Sequence, residues 1–557
     1  MKHSGAEIII QLIERQGITT VAGIPGGCNL PIYDAIHRSA IRHILTRHEQ
    51  GAAFVAQGMS RVSGKAAVCL GTSGPGATNL VTAIADAKLD SIPMVAITGQ
   101  VPSSLLGTDA FQEVDTYGMT MSITKHNFLV QKAEDLLEII PKAFEIAESG
   151  RPGPVLVDVP KDVQLQEVEF DHWPEPFVKT EPSRCSRKGI EGVAQMIRES
   201  KRPVFYIGGG IIAANASEEL ARVARKNSIP VTATLMALGA FPSDDPLFLG
   251  MLGMHGPRYT NYALEEADLL LAFGARFDDR ATGKVAQFCP NAKIAHVDID
   301  ASEIHKIKTA HLPVTGDVRQ ALRQLEPLVE ENDRAEWNAR IRELKEAHPF
   351  EIPEEARQPL RMIAEIGKAL DPEDIVATDV GQHQMWTAQA YPFSRPRKWL
   401  TSGGLGTMGF GLPSAIGAAL AAPDRTVLCV SGDGSILMNI QEFATLADLG
   451  LNVKVLIMNN GALGLVRQQQ ELFYGAQYSA SQFQTHPDFA GIARHFHLPS
   501  IDLTEEDDPA TALIEAMSKP GPCIINAPIP AMENVFPMVP PGGANREMIG
   551  GEKKIIA

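Results

Sequence analysis

Short apolar runs alternate with stretches of helical period along most of the chain, the pattern of parallel sheets joined by crossover helices. Three blocks carry it. The first, residues 1–165, opens on a capping box, with Ser4 as N-cap and Glu7 three positions on, and sets strand-like Ala66–Leu70 and Met94–Thr98 around a helix-like Thr78–Ala87. The second, 189–330, holds strand-like Val204–Ile207, Leu269–Phe273 and Ile294–Val297, each followed by Gly or Asp, where loops commonly bind ligands. The third, 359–530, repeats the grammar of the first in Ile375–Thr378, Val427–Val430 and Val453–Met458, and a shared architecture is expected. Gln164–Lys188, with Pro174, Pro176 and Pro182 and no steady period, reads as a linker. Glu330–Glu355 reads as a helix and a second linker, and the proline-bearing tail 531–557 as an extended closing arm or lid. The expected class is α/β with three doubly wound parallel-sheet domains.

Length agrees, because 557 residues exceed what one hydrophobic core organises. A formal net charge of −16, from 66 acidic against 50 basic residues, opposes attraction to nucleic acid or to anionic lipid. The apolar runs fall short of the ~20 residues of a membrane span. The six cysteines, without a Cys-x-x-Cys pair or zinc-like His spacing, read as reduced thiols, mostly buried. Neither a signal peptide nor a basic transit segment opens the chain, and a cytoplasmic location is expected.

The candidate chemistry begins at Thr426–Ser435, where an apolar strand delivers Asp433 between Gly432 and Gly434. The next strand delivers Asn459-Asn460 at its own carboxyl end. If the two strands are parallel neighbours about 4.8 Å apart, the Asp433 carboxylate and the Asn460 amide oxygen reach one hard cation, and the helix start after Gly434 favours a diphosphate beside it. Gly-Asp-Gly alone is an ordinary strand-to-helix turn. Paired with Asn-Asn at this spacing it resembles the signature of thiamine-diphosphate enzymes. That cofactor needs a carboxylate to protonate N1′ of its aminopyrimidine, and Glu49, within Arg47-His-Glu-Gln-Gly-Ala-Ala53, resembles the catalytic glutamate of the superfamily. In Ser402–Pro413 the resemblance implies that the Gly406 carbonyl meets the 4′-amino group while Met408 wedges between the cofactor's rings. Val380, Gly381, Gln382 and His383, with Ser435, would add diphosphate contacts.

Beyond these motifs the chain resembles the catalytic subunits of acetolactate synthases along nearly its whole length. The resemblance rests on Ile24-Pro-Gly-Gly27, Thr72-Ser-Gly-Pro-Gly-Ala-Thr-Asn79, Gly107-Thr-Asp-Ala-Phe-Gln-Glu113, Gly274-Ala-Arg-Phe-Asp-Asp-Arg280 and Gly381-Gln-His-Gln-Met-Trp386 among others. It implies decarboxylation of pyruvate and transfer of the two-carbon unit to a second 2-oxo acid, pyruvate or 2-oxobutyrate, with thiamine diphosphate, Mg2+ and FAD as cofactors. The first block would bind the pyrimidine, the second FAD and the third the diphosphate, with Ala462 joining Asp433 and Asn460 at the metal. Arg151, His255, Gly274, Arg276, Asp298 and Asp317 would touch the flavin. Gly208-Gly209-Gly210 suits the approach of a phosphate or a plain strand-to-helix turn equally. Arg280 would pair with the acceptor's carboxylate, against the alternative of a surface salt bridge, and Gly27, Phe111, Gln112 and Lys161 would line the same pocket. Gln469 replaces a Trp that many family members carry and that favours 2-oxobutyrate, which implies weak acceptor discrimination. The resemblance also implies a homodimer or dimer of dimers, with Glu49 acting across its interface, and a small regulatory subunit as a further partner. A pyruvate-oxidase-like flavoenzyme and an inactive scaffold paralogue remain the alternatives, while Glu49 argues against a glyoxylate carboligase.

Overall fold

The computed structural model describes residues 1–182, 184–355 and 358–550. Three six-stranded parallel sheets form in succession. The first is ordered Arg42–Leu45, Thr20–Gly23, Ala67–Gly71, Met94–Gln100, Pro154–Pro160, His126–Leu129. The third is ordered Trp399–Leu400, Ile375–Thr378, Val427–Gly432, Val453–Asn459, Cys523–Pro528, Ser500–Asp502. Numbered in chain order, both read 2-1-3-4-6-5, so the two sheets share one topology. The middle sheet runs Phe248–Met251, Val231–Ala233, Pro203–Ile207, Leu269–Phe273, Lys293–Asp298, Leu312–Thr315, which is 3-2-1-4-5-6, the dinucleotide-binding order whose switch point lies between Pro203–Ile207 and Leu269–Phe273. The strands read as unbroken apolar runs because helices cover both faces. Several run one or two residues past their apolar stretch, as Val427–Gly432 does.

The linker expectation needs correction. Lys161–Leu165 is helical, Glu167–Glu169 pairs antiparallel with Lys2–Ser4, and the helix Arg187–Glu199 starts before the stretch ends. The backbone there finds its partners in the chain's first residues, a long-range pairing that local composition does not encode.

Equivalent helices of the first and third domains, each following the second strand of its sheet, cross: Glu49–Ser63 against Gly411–Ala421. The approach requires glycine on both sides. A Cβ built on Gly58 would lie 2.1 Å from the Ser414 carbonyl oxygen, and one on Gly417 would lie 2.0 Å from that of Val55.

The described part of the tail lies against both the third and the middle domain. Gln468 and Val535 exchange hydrogen bonds, Gln389 donates to Phe536, Val539 to Met254 and Asn545 to Ala281, which straps the third domain to the middle one. Residues 551–557 of the expected arm lie outside the described residues.

Candidate active site

The predicted site residues lie toward the carboxyl edges of the three sheets, where parallel strands present their loops, except Arg151, which precedes the strand Pro154–Pro160. In the third domain Val427–Gly432 and Val453–Asn459 are parallel neighbours with Gly432 opposite Met458, so Asp433 and Asn460 emerge side by side. Burial pushes the Asp433 carboxylate up to about 6, against the pull of the neighbouring backbone N–H groups of Gly461, Gly434 and Ala462. Asn460 Oδ1 accepts from Ala462 N at 3.2 Å and its Nδ2 donates to Gln382 Oε1 at 3.1 Å, which orients the amide oxygen. Ser435 Oγ donates to the Val380 carbonyl at 3.0 Å.

His383 is buried between Gly381 and Gly432, on which built Cβ atoms would stand 2.8 and 2.9 Å from its ring. Burial lowers it to about 3, so the ring is neutral. Its Nε2 is buried with no hydrogen-bond partner among the described residues. An orphaned ring nitrogen, side-chain-free turns and a carboxylate beside an amide oxygen together fit a metal-bound diphosphate. Among the described residues no group of three His, Cys, Asp or Glu could hold a metal by itself, so an ion at Asp433 would need other ligands, such as the Asn460 amide oxygen, backbone, phosphate or water. Gly406 has φ +72° and only Val380 near its missing Cβ, and half-buried Met408 joins His383 and Asp433 in lining one cleft, whose walls all belong to the third domain.

Sequence reasoning missed Asp379. Buried and pushed up to about 6, it accepts from Gly409 N at 2.6 Å and Ser431 Oγ at 3.1 Å, fixing the loop that carries Met408. It also missed the first domain's grip on that loop: Asp90 accepts from the N–H groups of Gly403 and Gly404 and from Arg61, and Asp86 from Ser402 and Thr407. A carboxylate following an apolar strand was the available signal for Asp379. For Asp86 and Asp90 nothing in sequence pointed 300 residues on.

In the first domain Gly27, Glu49, Phe111, Gln112 and Lys161 all sit on loops or helix starts after strands of the first sheet. Glu49 is the first residue of its helix, half-buried, and is not part of the third domain's cleft. Gly27 has open space where a Cβ would be, Phe111 is 88% exposed, and Gln112 is held in the left-handed region at φ +58°. Lys161 starts a short helix whose Asp162 holds Ser103.

In the middle domain His255, buried and lowered to about 4, bonds the Pro537 carbonyl of the arm at 3.1 Å. Buried Asp298 accepts from Asp300 N at 2.8 Å, Asp317 is the N-cap of Val318–Leu325, and the Arg276 carbonyl accepts from Tyr206. At Gly208 and Gly210 the backbone of Gly274 comes close: built Cβ atoms would lie 2.2 Å from Gly274 O and 2.6 Å from Gly274 Cα, an approach at the switch point that suits a phosphate-binding turn and a plain turn alike. Arg151 bridges domains, with Nη1 on Glu303 at 2.6 Å and Asp300 at 3.1 Å. Arg280 is exposed beside Asp279 at 3.5 Å. Half-buried Gln469 lies on the helix Gly464–Phe473, which the arm crosses.

Family comparison agrees with this division. Three thiamine pyrophosphate enzyme models match in chain order: the N-terminal TPP binding domain over residues 3–119, the central domain over 190–325 and the C-terminal TPP binding domain over 379–527. The acetolactate synthase isozyme 1 large subunit of Escherichia coli (strain K12) is 57% identical over 99% of this chain and 98% of the relative. The chain belongs to the acetolactate synthase family. Acetolactate synthase 2, chloroplastic, of Zea mays (47% identical, 98% of this chain, 89% of the relative) and the isozyme 2 large subunit of Escherichia coli (44%, 98% and 99%) extend the family across kingdoms. Membership makes this a thiamine-diphosphate-dependent enzyme of the transferase type and implies Mg2+ and FAD beside that cofactor. Among the described residues no helix is long and apolar enough to cross a membrane.

Proposed function

We propose that the chain condenses two 2-oxo acids: it decarboxylates pyruvate and joins the two-carbon unit to a second pyruvate, giving 2-acetolactate, or to 2-oxobutyrate, giving 2-aceto-2-hydroxybutyrate. The reading rests on membership of the acetolactate synthase family over nearly the whole chain, with the meeting of Asp433, Asn460 and the unpartnered His383 Nε2 at the carboxyl edge of the third sheet as the structural support for its cofactor. Thiamine diphosphate, when bound, supplies the carbanion-stabilising chemistry. The protein's share is positional. Asp433 and Asn460 would hold the metal with the Ala462 backbone, and Val380, Gln382, His383 and the turn Gly432–Ser435 would hold the diphosphate. Gly406 would offer its carbonyl to the aminopyrimidine, Met408 would pack beside the cofactor, and Glu49 would exchange a proton with N1′. Arg280 receives the acceptor's carboxylate as a guanidinium fork, with Gly27, Phe111, Gln112 and Lys161 around it. The middle domain holds FAD through Arg151, His255, Gly274, Arg276, Asp298 and Asp317.

The site is completed by a second copy of the chain. Support comes from Glu49 standing apart from its own chain's cleft, and from exposed apolar side chains around both site edges, Phe111, Leu405, Leu437, Met438 and Val466. A dimer or dimer of dimers, a small regulatory subunit and a cytoplasmic location belong to the same reading.

The test is incubation of purified protein with pyruvate, Mg2+, thiamine diphosphate and FAD, each omitted in turn. Acetolactate that disappears when thiamine diphosphate or Mg2+ is left out supports the assignment. Acetate or acetyl phosphate formed with electron transfer would replace it with an oxidase.

A further inference from the structure

Two contacts within one chain fix Glu49, and neither residue making them belongs to the site set above. Asn79 Nδ2 donates to Glu49 Oε2 at 2.9 Å. Asn79 lies in the second turn of the helix Pro75–Asp90, whose first-turn Gly76 is a neighbour of the other oxygen, a built Cβ standing 3.5 Å from Glu49 Oε1. One oxygen is thereby held by a side-chain donor, and the carboxylate lies beside a helix N-terminus that favours it.

The backbone beneath is held from another domain. Glu442, fully buried on the helix Glu442–Leu449, accepts Arg47 N at 3.0 and 3.3 Å through its two oxygens. Thr445 Oγ1 steadies it at 2.6 Å. Gly51 makes room, since a Cβ there would stand 2.6 Å from Glu442 Oε1. Donors ahead of a helix have no intrahelical partner. Here a carboxylate nearly 400 residues away takes that of Arg47 and fixes where the helix begins, hence where its first side chain springs from.

We propose that Asn79 and Glu442 are the positioning residues of Glu49, Asn79 holding its carboxylate and Glu442 its backbone. The proposal rests on Glu49 being the group that exchanges a proton with the cofactor. A carboxylate free to rotate would spend most of its time outside reach of that proton, and small displacements are costly in such transfers.

Asn79→Ala, Glu442→Gln and Glu49→Gln are compared with wild type by cofactor-free crystal structures, by the thiamine diphosphate Kd, and by exchange of the cofactor's C2 proton in the holoenzyme. Asn79→Ala is expected to leave the backbone of 46–50 in place, to put the Glu49 side chain into more than one rotamer, to hold Kd within about threefold and to slow exchange roughly ten- to hundredfold. Glu442→Gln keeps one acceptor and is expected to slow exchange less, with the backbone of 47–48 displaced. A single unchanged Glu49 rotamer or a wild-type exchange rate in Asn79→Ala overturns the proposal. Wild-type exchange in Glu49→Gln removes instead the role of Glu49 on which it stands.

Discussion

Replacing Gly417 by alanine poses opposing effects whose sizes decide the outcome. In an unconstrained helix the change stabilises by about 1 kcal/mol. Here the new Cβ would sit 2.0 Å from the Val55 carbonyl oxygen and 2.8 Å from its carbon. Carbon and oxygen settle at about 3.3 Å or more, so the two crossing helices must part by about 1 Å along their contact. Their interface is fully buried, with Ala52, Val55, Ala415 and Ala418 packed at the crossing. Overpacking of this kind costs about 1–3 kcal/mol, and the opened seam forfeits further contact. The net expectation is a loss of about 2 kcal/mol. Read by calorimetry on cofactor-free protein, this lowers the joint transition of the first and third domains by about 3 °C. Gly192→Ala, on a helix where the new carbon meets only the flexible tip of Leu312 at 3.0 Å, serves as the control and stays near wild type. Gly58→Ala combined with Gly417→Ala should cost clearly less than the sum of the two, because the first change already parts the helices. A rise in the Gly417→Ala transition, or strict additivity, would refute this reasoning.

Three further outcomes follow from the site and the core. Asp433→Ala should raise the Kd for Mg2+ and thiamine diphosphate at least tenfold by isothermal titration while leaving thermal unfolding of the cofactor-free protein unchanged or improved, since the carboxylate's burial is unfavourable. Competition between equal pyruvate and 2-oxobutyrate should give a product ratio within a fewfold of one, as expected for Gln469; strong preference for 2-oxobutyrate would count against it. Asp158 is raised by burial from 3.8 to about 6; the folded state therefore holds its proton more tightly than the unfolded chain, and this group's contribution to stability is lost as pH rises from about 4 to about 6. Urea midpoints of Asp158→Asn should lack that part of the pH dependence.

The sheets were legible because buried parallel strands are apolar runs whatever lies beside them: Leu269–Phe273 and Ile375–Thr378 match their strands end to end. Glu167–Glu169 was illegible because its stability comes from pairing with Lys2–Ser4, and the helix Lys161–Leu165 because five residues carry little period. At the site, Asp433 and Asn460 could be read because each follows its own strand, so a local pattern fixes a spatial meeting. Asn79 stood inside a motif that carried the family resemblance, yet its role needs a carboxylate 30 residues earlier. Glu442 lay near the metal motif and works on the opposite domain, which only the packing of two domains reveals. The glycines at 208–210 suit a phosphate or a turn equally in sequence, and the close approach of Gly274 to Gly208 and Gly210, which explains two of them, is a long-range contact that local pattern does not encode.

The crossing of Glu49–Ser63 and Gly411–Ala421 has a further meaning. The two helices occupy the same place in sheets of the same strand order, and each offers one glycine to the other's backbone carbonyl. That is the reciprocity of an isologous contact between two copies of one domain, although both are now covalently part of one chain. The two domains thus face each other as the halves of an isologous pair do, one bearing Glu49 and the other Asp433, and a swap of either domain for a homologue's keeps the crossing only if the incoming domain brings a glycine at its own contact position.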